Sequence, residues 1–301
     1  DSSQLNIIVK SFGDISTFSA WSGNICVGTG SDDPVVSITG QAGVNIAASV
    51  RGITAQTVTL KSGSLICKSN INNGKFSNPT YGIYCDNLIV TGGELSALAE
   101  ASANDSIGIM CGSADISNDG TTSFGGAIVN AYGGESSGGR STGIYAVSDI
   151  TVSGSVDLKA TGAGALTWSA GILCGGIYLN KSGEYAPTVT AAGKDYGVFG
   201  NISVAGGTLI ASGDSSGRSY GAAGIDLDPT NNTFSVSGDG ALYASGSIAA
   251  VGEYTSPSTD GKGVLASADV VTYENISSLS EYAVFDPVSK AYNVGEYTAE
   301  T

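Results

Sequence analysis

The sequence predicts an all-β fold: a single-stranded, right-handed parallel β-helix of about eight to ten coils. Three observations predict it. Glycine supplies 45 of the 301 residues, proline only 6, and 41% of the chain is hydrophobic. That composition suits many turns and small stacked side chains around a core, not helices. Residues 81–97, YGIYCDNLIVTGGELSA, alternate apolar with other residues and break at Asp86-Asn87 and Gly92-Gly93. They read as three short strands joined by two tight bends. The same phrase then recurs after Gly52, Gly82, Gly108, Gly143, Gly171, Gly197, Gly224 and Gly263, at spacings of 26 to 39 residues. A propeller blade needs four strands in about 40–45 residues. Three strands in as few as 26 fit one coil of a solenoid, with equivalent strands stacked ~4.8 Å apart.

Residues 1–50 carry strand-like runs at 5–9, 25–27, 35–38 and 44–48, separated by turns such as SDDP at 31–34. The repeat is indistinct there, as expected of atypical terminal coils that cap an open core. From Gly52 onward equivalent positions form ladders. One residue after the glycine come Ile53, Ile83, Ile109, Ile144, Ile172, Val198, Ile225 and Val264, an aliphatic spine. Three residues after it come the small residues Ala55, Cys85, Cys111, Ala146, Cys174, Gly200 and Ala266. Asn87, Asp115, Asp149, Asn201 and Asp269 each precede the apolar residue that opens the second strand, and Asn and Asp tolerate a tight bend. The expected division is a β-helix over 1–272 and a C-terminal cap or linker over 273–301, with a short helical turn in ENISSLSEYAVF. Right-handedness follows from the chirality of parallel connections.

The net charge is −15 and the pI about 4.1. Such a surface repels nucleic acid, and no apolar run approaches the ~20 residues of a membrane span. Charged residues are only 13%, so Ser, Thr, Asn and Gly dominate the surface, as in many secreted bacterial proteins. The chain opens at Asp1 and its single methionine is Met110, which suggests processing from a longer precursor.

The repeat resembles that of the right-handed parallel β-helix proteins of bacterial surfaces, pectin-lyase-like in the broad sense. GIYAVSDITVSGSVDL at 143–158 carries the phrase GI-x-A-x-x-D-Φ-x-Φ-x-G-G-x-L, with Φ apolar. GIYCDNLIVTGGEL at 82–95 carries it with a shorter turn. The resemblance covers roughly residues 52–270 and is closest to non-catalytic, carbohydrate-binding or adhesin-like members. It implies a secreted or cell-surface module that binds polysaccharide or host glycan and requires no cofactor.

Histidine is absent, which excludes a histidine base, a Ser-His-Asp triad and a histidine metal site. The alternatives left are a carboxylate hydrolase, a calcium-dependent lyase and a structural spacer. A lyase is disfavoured because the chain has only three arginines and an acidic surface would repel anionic pectin. In GIDLDPTNN at 224–232, Asp226 and Asp228 share one strand face. With Asn231 or Asn232 they either hold calcium or form a solvated bend closed by Asp-Pro. Asp115 and Asp149 are a second acidic pair, expected as solvated turns. The loops GESSGGRSTG (134–143) and GDSSGRSYG (213–221) echo each other, so Arg140 and Arg218 either meet an acidic sugar or neutralise their own turns. Two residues after each glycine, on the outer side of the strand, stand Thr54, Tyr84, Met110, Tyr145, Leu173, Phe199, Asp226 and Leu265. A stripe of large apolar groups should not face water bare. It is a sugar-stacking platform centred on Tyr84, Met110, Tyr145 and Phe199, a protein contact, or a surface covered by a long loop. The five cysteines read as structural free thiols: three on the small interior ladder, and Cys67 level with Ala97, Ala160, Ala211 and Ala244. One Cys85–Cys111 bridge between adjacent coils stays open.

Overall fold

The computed structural model describes residues 4–11, 18–29, 34–42, 50–71, 79–120, 126–213, 219–224, 231–246, 249–252, 258–259, 282–286 and 291–295. The opening segment supplies β1 (Gln4–Ser11), β2 (Phe18–Val27) and β3 (Val35–Ala42). Next come β4 (Val50–Leu60) with β5 (Ser64–Ile71), β6 (Thr80–Val90) with β7 (Gly93–Ala99), and β8 (Ser106–Asn118) with β9 (Ala127–Gly133). β10 (Arg140–Ala146), β11 (Asp149–Gly154) and β12 (Val156–Gly162) form one turn, β13 (Trp168–Asn180) and β14 (Thr188–Gly193) another, and β15 (Tyr196–Gly213) a third. The stack continues through β16 (Tyr220–Ala223), β17 (Phe234–Ser245), β18 (Ala249–Gly252) and β19 (Ser258–Thr259). β20 (Tyr282–Asp286) and β21 (Ala291–Gly295) pair antiparallel.

Strands β1 to β19 stack in parallel as a β-solenoid, as the repeat predicts. About six turns are complete, fewer than the eight to ten expected. Those six span Val50 to Gly213, with residues 72–78 and 121–125 between their strands outside the described residues, as are parts of the segments joining the end strands. Three ladders run the length of the stack. The first links β2, β4, β6, β8, β10, β13, β15, β16 and β18. The second uses the later halves of β4, β6 and β8, then β11 and the later part of β13, then β15, β17 and β19. The third links β1, β3, β5, β7, β9, β12, β14, β15 and β17. The opening segment therefore joins the same ladders, although its sequence hides the repeat. Among the described residues no helix is long and apolar enough to cross a membrane.

Each face turns alternate side chains inward. The first contributes the expected spine, Ile53, Ile83, Ile109, Ile144, Ile172 and Val198, all fully buried. Burying each such side chain contributes roughly 1.5–3 kcal/mol. The spine then passes to Ala222 and Val251, not to Ile225. The recurring glycine of that turn is Gly221, three residues before the expected Gly224, because Phe199 pairs with Ala223. Ile225, Val264, Leu265, Ala266 and Asp269 lie outside the described residues.

The glycine recurs because the first-face strand touches the backbone of the third. A Cβ on Gly143 would lie 2.4 Å from the Thr161 amide nitrogen and 2.7 Å from the Gly171 carbonyl oxygen. Gly82, Gly108 and Gly197 meet the same two kinds of neighbour, and Gly171 meets the amide nitrogen of Ala192 and the carbonyl oxygen of Ala160, both on the third face. At the bend before the third face, Gly93 has φ +80° and a Cβ there would lie 2.4 Å from Gly63 O. That backbone conformation favours glycine.

A ladder not foreseen closes the third corner. Thr80, Ser106, Ser141 and Ser169 are fully buried. Thr80 and Ser106 donate their hydroxyls to Glu100 O, Ser141 to Gly133 O and Ser169 to Gly162 O, at 2.7 to 3.0 Å. These bonds satisfy carbonyls where the third-face strands end.

One further expectation is corrected. Asp115 and Asp149 lie on the second ladder but not level with each other. Asp115 lies beside Ile89 and Thr151, while Asp149 lies beside Gly176, so the two carboxylates are out of register. Tyr282–Asp286, at the end of ENISSLSEYAVF, is a strand, and residues 274–281 of the segment expected to hold a helical turn lie outside the described residues.

All five cysteines are free thiols. Cys85 and Cys111 are lateral neighbours without a bridge, and Cys67 stands level with Ala97. Burial pushes the Cys111 thiol up from 9.0 to about 12 and shifts Cys67, Cys85 and Cys174 in the same direction. Two results are expected. A thiol reagent should modify only exposed Cys26 in the native chain and all five after denaturation. The folded state holds the four buried thiols protonated while an unfolded chain ionises them above about pH 9. Their contribution to stability is therefore present below that pH and lost above it, so the urea midpoint should fall as pH rises from 8 to 10.

Candidate binding face

The outer side of the first face carries two rows of side chains. One is the predicted stripe, Thr54, Tyr84, Met110, Tyr145, Leu173 and Phe199, in lateral register and ending at Ala223. The other runs Arg51, Tyr81, Ile107, Thr142, Ala170, Tyr196 and Tyr220, three residues earlier in each coil. In a flat strand residues three apart face opposite sides. Here the glycine bends the strand and brings both rows to one side. Tyr81 and Tyr84 accordingly meet edge to face with centroids 5.4 Å apart, and Tyr196 stacks on Phe199 at 4.5 Å.

The rings form two clusters. Tyr81 and Tyr84 form the first. Trp168, Tyr196, Phe199 and Tyr220 form the second: Trp168 lies 6.2 Å from Tyr196 and 5.9 Å from Phe199, and Tyr196 stacks on Tyr220 at 5.9 Å. Tyr84, Met110, Tyr145 and Phe199 are half-buried, and Leu173 is buried. Arginines lie against the rings. Arg51 Cζ is 4.0 Å from the Tyr84 centroid and 5.3 Å from that of Tyr81; Arg140 Cζ is 5.2 Å from Tyr145 and 5.7 Å from Trp168. A guanidinium over an aromatic face is held by the ring quadrupole and shields the ring from water.

Arg140 pairs with Asp105 of the preceding turn, not with the acid of its own loop. Its Nη2 is 2.6 Å from Asp105 Oδ2, and its Nε and backbone N–H also donate to that carboxylate. These hydrogen bonds push the Arg140 pKa up against the opposing effect of partial burial. Burial, aided by Asp105, raises the Tyr81 pKa, so its hydroxyl stays a neutral donor and acceptor.

Beside this face the loops between the third and first ladders stack on one another. Ser102, Ser136 and Ala165 form parallel bridges. They floor a groove of about 940 Å³ flanked by Glu135, Leu166 and Lys194. Leu166 is 77% exposed. The chain passes directly from these loops into Arg140, Trp168 and Tyr196, so groove and rings are contiguous along the chain.

The structure thus brings Tyr84, Met110, Tyr145, Phe199 and Arg140 onto one face. Arg218, Asp226 and Asp228 lie outside the described residues. Among the described residues no group of three or more His, Cys, Asp or Glu side chains is placed to hold a metal ion. Sequence reasoning missed Arg51, Tyr81, Asp105, Trp168, Tyr196 and Tyr220. The recurrent tyrosine just before the glycine, at Tyr81, Tyr196 and Tyr220, was the available signal. Comparison with family models, curated proteins and solved structures finds no match to this chain.

Proposed function

We propose that this chain is a secreted or cell-surface binding module for extended, largely neutral polysaccharide, and that it performs no covalent chemistry. The observation that carries the reading is the run of half-buried aromatic rings along one rigid sheet face, from Tyr81 to Tyr220. Pyranose rings present apolar C–H faces that stack on such rings, while their hydroxyls meet tyrosine hydroxyls and arginine N–H groups. Rungs repeated about every 4.8 Å suit a repeating ligand. The few charges and the histidine-free composition agree with recognition without catalysis. The adjoining groove supplies loop positions for specificity.

A glycan array probed with the chain and with a Tyr84→Ala/Tyr145→Ala double variant, each with and without calcium, tests the reading. The native chain should bind and the double variant should lose about five- to 150-fold, since each aromatic contact is worth about 0.5–1.5 kcal/mol. Binding that needs calcium yet ignores the double variant would move the site to the Asp226 and Asp228 segment. No binding in any condition would overturn the reading in favour of a structural spacer.

A further inference from the structure

We infer that the aromatic face holds two subsites built from the same residue types, Arg51–Thr54–Tyr81–Tyr84 and Arg140–Thr142–Tyr145–Trp168, each taking one ring of the same linear, neutral glycan. The inference rests on the carbohydrate reading above and specifies how it is carried out. Each subsite has one arginine, one threonine and two aromatic rings. In each the guanidinium carbon lies within 6 Å of both ring centroids. In each the threonine is more than nine-tenths buried, Thr54 at 8% and Thr142 at 0% exposure, and its Oγ1 has no hydrogen-bond partner. Among the described residues these are the two buried side-chain polar atoms left without one.

An unpartnered buried hydroxyl opposes folding. Both occur on the outer side of the first face. Thr54 is the lateral neighbour of Tyr84, and Thr142 lies three residues before Tyr145 in the same strand. A ring entering the subsite slides the guanidinium off the aromatic face, stacks there itself, and offers a hydroxyl to the threonine. The guanidinium N–H groups remain as donors at the rim. Arg140 is already charge-balanced by Asp105, and the chain carries a net charge of −15. Both facts favour a neutral ligand over an anionic one.

The subsites lie three rungs apart, since Thr54 reaches Tyr145 through Tyr84 and Met110. That is about 14 Å at ~4.8 Å per rung. A short oligosaccharide fills one subsite. A chain long enough to span both gains from the high effective concentration of its second end.

Calorimetric titration of the whole chain with linear gluco-, manno- and xylo-oligosaccharides, from disaccharide to octasaccharide, tests this. Affinity for one of these series should step up by about tenfold or more once the oligomer exceeds about 14 Å. Thr54→Val and Thr142→Val preserve shape and remove the orphan hydroxyl. Each should fold with an unfolding temperature at or above that of the parent, and each should abolish the length step. If the parent shows the step and both variants keep it, the subsites are wrong while the carbohydrate reading stands. Array binding to other glycans without binding to any of these series overturns the inference alone. Failure of the parent to bind any glycan overturns both.

Discussion

Gly143→Ala is expected to lower stability by about 3 kcal/mol or more, the upper end of what overpacking costs. The methyl group would lie 2.4 Å from Thr161 N, 2.7 Å from the Ala160 carbonyl carbon and 2.7 Å from Gly171 O. All three are backbone atoms, so no side chain can rotate away. Two of them belong to the third-face strand of the same turn, and the third belongs to the next turn. The strain therefore acts within a turn and across an interface between turns, the two terms that add up to solenoid stability. Gly23→Ala is the control, because a methyl there meets nothing within 4 Å, and it should leave stability unchanged or slightly raised. Urea midpoints for the two variants, with amide exchange across β10 and β13, decide the matter. Equal midpoints would mean that close backbone approach does not select glycine here.

Ile109→Ala should cost about 2–5 kcal/mol and Ile109→Val about 0.5–1.5 kcal/mol, from lost burial plus the cavity left behind. Ile109 is fully buried between Ile83 and Ile144 on the spine. Strands hydrogen-bonded on both sides cannot close inward to fill the space. Ile128, on the third face and 40% exposed, is the comparison. Its alanine variant should stay within about 0.5 kcal/mol of the parent. A similar loss at both positions would place the core on the wrong side of the strands.

The repeat made most of the fold legible. Glycine followed by isoleucine, then a small residue, marks the first face wherever the chain reads GI or GV from Gly52 to Gly197, and those ladders stand in register as expected. The reading failed where two phrases competed. Near residue 221 both GAAGI glycines suit the pattern, and the apolar Ile225 favoured the later one. Pairing of Phe199 with Ala223 selects the earlier, since register is decided by the neighbouring turn and not by the local phrase. Asp115 was misplaced for a related reason: the corner position of β8 is Ser113, level with Asn87, and Ala114 opens the second strand, so Asp115 lies two residues past the bend.

The sequence by itself determined the solenoid, its buried spine, the interior placement of the cysteines and the outward stripe through Tyr84, Tyr145 and Phe199. Periodicity is a local property, and each of these is one position in a repeated phrase. Only the tertiary structure decided that the row of Tyr81, Tyr196 and Tyr220 shares that side, because the glycine bend that turns it outward exists only when the first face packs on the third. It alone paired Arg140 with Asp105, 35 residues apart, and laid Arg51 and Arg140 over rings beside two threonines without partners. Those contacts cross from one turn to the next, where distance along the chain carries no information about distance in space.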